Sequence, residues 1–218
     1  MLKTVFWDWN GTLIDDVRLT LDCENEQFAA RGLPTISMER YLETFTFPIS
    51  DYYRALGFDP ALFADMNDEW LRLYEPRSAA CRLREGAAET AKLFQARGLR
   101  QTILSASNHE VLLGQIARYP ALSGLFSDIR GLSHSYANSK VQLALDYLRE
   151  SGVRGEEAVF LGDTCHDAEV ARASGCRCIL IEGGHQGRSV LLRAGVPVVK
   201  NAAEAARLIL PEASDGQS

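Results

Sequence analysis

An α/β fold, a Rossmann-like parallel sheet core carrying one inserted all-helical subdomain, is what this sequence predicts. Three observations lead there. Short apolar runs alternate with amphipathic helical patterns over most of the chain. One long stretch, residues 15–84, breaks that rhythm with helical patterns alone. The chain has 218 residues, enough to bury a substantial interior in one large domain with an insert.

The strand-like runs are KTVFWD at 3–8, RQTILSAS at 100–107, EAVFLGD at 157–163, RCILIEG at 177–183 and a short VPVVK at 196–200. Each is a continuous apolar or β-branched stretch, as expected of strands covered on both faces of a parallel sheet. Between them lie GAAETAKLFQARG, NHEVLLGQIARY, SKVQLALDYLRESG and DAEVARASG, all amphipathic. Three of these end at Gly98, Gly152 and Gly175, where a glycine just past the last turn accepts the left-handed backbone that closes a helix.

The insert reads DDVRLTLDCENEQFAARG, SMERYLETF, SDYYRALG and ALFADMNDEWLRLY. Its Tyr52, Tyr53, Phe58, Phe63, Trp70 and Tyr74 recur at helical spacing and are expected to form mostly core, with the remainder shaping a pocket. The polar end, residues 211–218, is expected to be a flexible tail.

Charge and composition narrow the function classes. A net charge of −6 without a basic run argues against nucleic acid or an acidic membrane as partner. No apolar run approaches the ~18 residues of a membrane span, and no leader pattern follows Met1, so the cytoplasm is expected. Five cysteines at irregular spacing make no disulfide framework, and Cys165, His166, Cys176 and Cys178 match no common zinc finger. His109, His134, His166 and His185 are read as satisfied or solvated, His166 being the most interesting because it sits between two acids.

Ligands of open α/β sheets bind beyond the carboxyl ends of the strands, so the residues there carry the chemistry. The first strand ends at Asp8, the second at Ser105, and the strand EAVFLGD at Asp163, with Asp167 four residues on; Lys140 opens the helix before that strand. Singly, each is an ordinary cap or a surface charge. In this order, VFWDWNGTL, TILSAS, Lys140 and FLGDTCHD together resemble the four motifs of the haloacid dehalogenase (HAD) superfamily, in its phosphoglycolate-phosphatase-like branch with a helical cap.

That resemblance implies a Mg²⁺-dependent phosphatase acting on a small phosphorylated metabolite, as a monomer or homodimer. Residues 1–14 and 85–210 would form the core and 15–84 the cap. Asp8 would be the nucleophile that forms an aspartyl-phosphate. Mg²⁺ would be held by Asp8, the backbone carbonyl of Asn10 and Asp163, with Asp167 behind them. Lys140, the Ser105 hydroxyl and the Ala106 N–H would face the phosphoryl oxygens, helped by the backbone N–H groups of Gly11 and Thr12.

One position departs from the pattern. The family's phosphatases normally carry a second aspartate two residues after the nucleophile, and here it is Asn10. An amide cannot lend and reclaim a proton, so a general acid–base contribution of roughly 10²–10⁴-fold should be missing. Aryl and acyl phosphates, whose leaving groups need no proton, should suffer less than alkyl phosphates. Asn10-Gly11 is also a deamidation-prone pair, which would create the absent acid. Two further readings stay open: a pseudophosphatase that binds phosphate without turnover, and a metal-independent haloacid dehalogenase, against which the cluster of acids argues.

Overall fold

A computed structural model describes residues 1–59, 66–132 and 139–210. Phe63, His134 and the expected tail at 211–218 lie outside the described residues.

β1 (Thr4–Trp7) is buried along its whole length, and its alternation sorts the core. Val5 and Trp7 face one layer, packed with Ala88, Ala91 and Phe94 of α5 (Ala87–Ala96) and Ala205 and Ile209 of α10 (Ala202–Ile209). Phe6 faces the other, with Tyr147 of α7 (Lys140–Ser151) and Val170 of α8 (Cys165–Ala173). This period-2 division of one apolar run between two helical layers is what a parallel strand inside an α/β sandwich requires.

The main sheet has the order β5-β4-β1-β6-β7-β8, with β4 (Arg100–Asn108), β5 (Asp128–Leu132), β6 (Ala158–Gly162), β7 (Arg177–Ile181) and β8 (Val198–Val199). All its pairings are parallel. β1 therefore stands centrally between β4 and β6, and the strand order reverses beside it, which opens a crevice at the carboxyl ends of these three strands.

The sequence reading missed β5. Its residues DIRGL are mostly half-buried, because it is an edge strand with no clean apolar run to announce it. β4 also runs past Ser105 to Asn108, with an irregular register between Leu104 and Asn108. Such irregularities next to sites re-aim side chains.

A second, two-stranded antiparallel ladder pairs β2 (Ile14–Asp15) with β3 (Arg82–Leu83), matching Ile14 with Leu83 and Asp15 with Arg82. Between these strands run α1 (Val17–Ala30), α2 (Met38–Thr44), α3 (Ile49–Ala55) and α4 (Met66–Ser78). They share an apolar cluster of their own, including Leu21, Phe28, Tyr41, Phe45, Tyr52 and Met66. None of the described helices is long and apolar enough to cross a membrane.

Candidate active site

Asp8 follows β1 directly, its N–H donating to Leu161 O at 2.9 Å, so the ladder to β6 carries its side chain to the crevice. From the far side of the sheet, Lys140, first residue of α7, is buried with Nζ 2.5 Å from Asp8 Oδ1 and 2.6 Å from Asp167 Oδ1. Ser139 caps this helix by accepting the Gln142 N–H, which fixes where α7 begins and hence where Lys140 points.

Asp163, just beyond β6, is fully buried. Its Oδ1 accepts the Thr12 hydroxyl at 2.7 Å and its Oδ2 accepts the His185 N–H at 2.7 Å. A Cβ on Gly11 would meet Asp163 Oδ2 at 2.3 Å, and one on Gly184 would meet the same atom at 2.2 Å. Gly11 also has φ of +71°, so both space and backbone demand glycine there.

Ligand atoms of Asp8, Asp163 and Asp167 lie within 4.8 Å of one another. Three carboxylates with one ammonium leave two negative charges, which a divalent cation with oxygen ligands would balance. Burial pushes Asp8 up to about 8 against the pull of Lys140, and Asp167 and Asp163 add to the rise. Lys140 is held above its ordinary range although burial opposes this, because Asp167 and Asp8 stand against it. Asp8 and Asp163 keep lone pairs for an ion. Asp167 is already engaged: beyond Lys140, its Oδ2 accepts the Thr164 hydroxyl at 2.8 Å and the N–H groups of Thr164 and Asp163.

Asn10 is tied at both ends. Its Nδ2 donates to Asp16 Oδ2 at 2.7 Å and to Tyr74 Oη at 3.0 Å, while Ser107 Oγ donates to its Oδ1 at 3.0 Å. Asp16 is buried, yet hydrogen bonds and the nearby His185 hold its carboxyl below the usual range despite desolvation. His185 Nε2 stands 3.4 Å from Asp16 Oδ1, an ion-pair distance, and its Nδ1 meets Tyr41 Oη at 2.7 Å. Burial would lower this imidazole, but Asp16 and Asp163 push it up to about 9.

The structure brings together Asp8, Asn10, Thr12, Lys140, Asp163 and Asp167, and corrects one expectation. The Gly11 N–H does not face the open crevice, because it donates to Asp16 Oδ1 at 2.8 Å. Ser105 is buried with its Oγ accepting the Ser107 N–H, which leaves its own hydroxyl proton to donate, and a second hydroxyl, that of Ser107, reaches residue 10. The wall of the crevice here is Ala106, Ser107 and Asn108.

Sequence reasoning also missed Asp16 and His185. Asp16 had a signal, the second acid of the pair closing LIDD. His185 had none, since its partners come from three distant segments. His166, by contrast, is partly exposed, with Nδ1 3.3 Å from Glu169 and its ring 5.1 Å from Phe47. His109 Nδ1 accepts the Gly131 N–H.

Comparison with known proteins fits this geometry. The family pattern of the haloacid dehalogenase-like hydrolases matches residues 2–175. A phosphoglycolate phosphatase of Photorhabdus laumondii is 27% identical over 209 residues, covering 88% of this chain and 85% of the relative. One from Pseudomonas syringae pv. tomato is 25% identical, covering 86% and 72%. Among solved structures, a haloacid dehalogenase-like hydrolase from Streptococcus pneumoniae superposes with a TM-score of 0.83 at 17% identity, covering 95% of this chain and 98% of the other. CbbY from Rhodobacter sphaeroides in complex with phosphate gives 0.68 at 25% identity, covering 94% and 96%.

Proposed function

The chain belongs to the haloacid dehalogenase-like hydrolases, in the branch that includes phosphoglycolate phosphatases, and with that as premise we propose a phosphoric monoester hydrolase that works through an aspartyl-phosphate on Asp8 and draws on Mg²⁺. Its substrate is a small phosphorylated metabolite, and residues 15–84 act as a cap over the site. The observation that carries this reading is Lys140 Nζ, buried between Asp8 Oδ1 and Asp167 Oδ1 beside the second acid pocket of Asp163.

Asp8 attacks phosphorus in line with the ester oxygen, and the bond to that oxygen breaks as the carboxylate–phosphorus bond forms. Water then attacks the same phosphorus, releasing phosphate and restoring the carboxylate. Lys140 stabilises the phosphoryl oxygens as charge spreads over them, and Asp167 holds Lys140 in place. Asp8, the Asn10 carbonyl and Asp163 are the residues that would hold Mg²⁺. Bound there, the ion supplies positive charge where two anions must meet and favours the ionised form of Asp8.

Asn10 has no proton to lend, and both its amide hydrogens are already given to Asp16 and Tyr74, so the alcohol takes its proton from water. A chain that binds phosphate without turnover is the second reading, and the amide at position 10 is its support.

The test is phosphate release from a panel of esters, with Mg²⁺ and with excess chelator. Wild type should turn over only with the ion, and Asp8→Asn should lose about 10⁴-fold or more. Activity surviving in Asp8→Asn, or haloacid turnover in chelator, would remove this mechanism. Inactive wild type beside an active Asn10→Asp would favour the phosphate-binding reading.

A further inference from the structure

Above Asp8 and Lys140 opens a cavity of about 370 Å³, at the small end of the ~300–1,000 Å³ usual for ligand sites. Its upper wall comes from the inserted helices: Phe45, Phe47, Tyr53, Met66, Trp70 and Tyr74. Trp70 and Tyr74 of this wall stack face to face at 4.3 Å with planes 18° apart.

The charges of this wall are distinctive. Among the lysines and arginines of the chain only Lys140 lines the cavity, and residues 60–65, 133–138 and 211–218 contain none that could be added. The nearby arginines are engaged elsewhere: Arg31 with Glu69, Arg77 with Glu26 and Arg118 with Glu75. His185 also touches the cavity, but its charge is matched by Asp16. Among the described residues the one acid of the upper wall is Glu24, buried and accepting the Tyr52 hydroxyl at 2.7 Å. Burial pushes it up to about 7.

Three residues lining the cavity carry a buried side-chain atom that finds no hydrogen-bond partner among the described residues: Thr20 Oγ1, on a residue only 6% exposed, and Trp70 Nε1 in the upper wall, and His185 Nε2, which has only the ion-pair approach to Asp16. Buried polar groups of this kind cost stability unless something completes them. A ligand with a polar substituent would do so.

We infer that the alcohol half of the substrate is a neutral, ring-bearing group that stacks on the aromatic wall and meets Thr20 and Trp70, and that esters carrying a second negative charge are rejected. This rests on the phosphatase reading. A carboxylate beside Glu24 would be buried with no lysine or arginine to receive it, a missing attraction that a neutral group does not suffer. The inference therefore separates this chain from relatives named for phosphoglycolate, whose phosphate ester bears a carboxylate.

Asn10 points the same way by an independent route. A phenol ionises near the tyrosine value of about 10, whereas an alkoxide must leave from a hydroxyl closer to the ~15.7 of water. Without a proton donor at position 10, the aromatic alcohol is the better leaving group.

The experiment compares phenyl phosphate with 4-(carboxymethyl)phenyl phosphate, whose leaving groups are alike because the methylene insulates the carboxylate. Phosphate release in Mg²⁺ should give kcat/KM higher for phenyl phosphate by roughly tenfold or more. Leu71→Lys, which sets a cation on the half-buried wall of α4, should narrow that gap by raising the carboxylated ester. Trp70→Ala should raise KM for phenyl phosphate more than it lowers kcat. Equal kcat/KM for the two esters, preference for the carboxylated one, or a gap that Leu71→Lys leaves unchanged would overturn the inference while hydrolysis itself keeps the phosphatase reading intact. Hydrolysis of neither ester, nor of any other phosphomonoester in the panel, would overturn both.

Discussion

The floor and the roof of one cavity are built on opposite plans. At the floor, Lys140 Nζ bridges two carboxylates, and both oxygens of Asp163 and of Asp167 are already hydrogen-bonded. In the roof, aromatic rings dominate and Thr20 Oγ1 and Trp70 Nε1 find no hydrogen-bond partner among the described residues. Groups that act on the reacting atoms work best when held in place before the substrate arrives. Groups that recognise the rest of the substrate are completed only by it. The contrast thus separates chemistry, fixed in the sheet, from selection, left open in the inserted helices.

Asn10→Asp should have the largest effect and would sharpen the contrast. A carboxylate there would face Asp16 Oδ2, which the present amide donates to at 2.7 Å. Two carboxylates so close cannot both ionise, so one keeps a proton, the form a general acid needs. Alkyl phosphate turnover should rise about 10²-fold or more, and aryl phosphate turnover much less, in single-turnover kinetics. Equal gains would show that the amide is not what limits proton transfer.

Lys140→Ala probes the floor's stability. Removing the common partner of Asp8 and Asp167 should cost about 3–5 kcal/mol in urea unfolding near pH 8. The loss should shrink toward pH 5, because Asp167, which Lys140 holds ionised in the intact protein, can then take up a proton in the variant. An unchanged midpoint would mean that the floor is not organised by this ion pair.

Glu24 probes the roof, with a smaller effect. Its folded pKa is raised from 4.5 to about 7, so the folded state holds a proton that the unfolded chain has released. Its contribution is fully present below about 4.5 and fades as pH rises through about 7. Across that window wild type should lose up to about 3 kcal/mol relative to Glu24→Gln. Parallel pH profiles for the two proteins would break the assignment of Glu24 as an acid that burial keeps protonated.

Much of this arrangement was legible before the structure. β1, β6 and β7 are continuous buried runs, and runs of that kind have few alternatives to a central parallel strand. The helix ends at Gly98, Gly152 and Gly175 have the left-handed backbone their glycines announced. β5 was hidden because an edge strand bearing Asp128 and Arg130 has no apolar signature. The β2–β3 ladder was hidden because two residues on each side carry no periodicity.

The site divides the same way. Asp8, Lys140, Asp163 and Asp167 stand at strand and helix ends that local pattern defines, so their convergence followed from topology alone. Gly11 was misassigned because its N–H is claimed by Asp16, a contact that depends on how α1 turns away from the sheet. Ser107 reaches Asn10 because β4 loses its regular register beyond Leu104, which no local pattern announces.

By itself, then, the sequence determined the alternating strands and helices, the place of the insert and the four charged residues at the strand ends, because periodicity and capping are local properties of the chain. Only the tertiary structure decided that Asp16 links Asn10 to His185, and that the described residues of the roof meet the substrate with rings and no lysine or arginine. Those features depend on which distant segments pack together and which buried polar atoms find partners, and no local pattern encodes either.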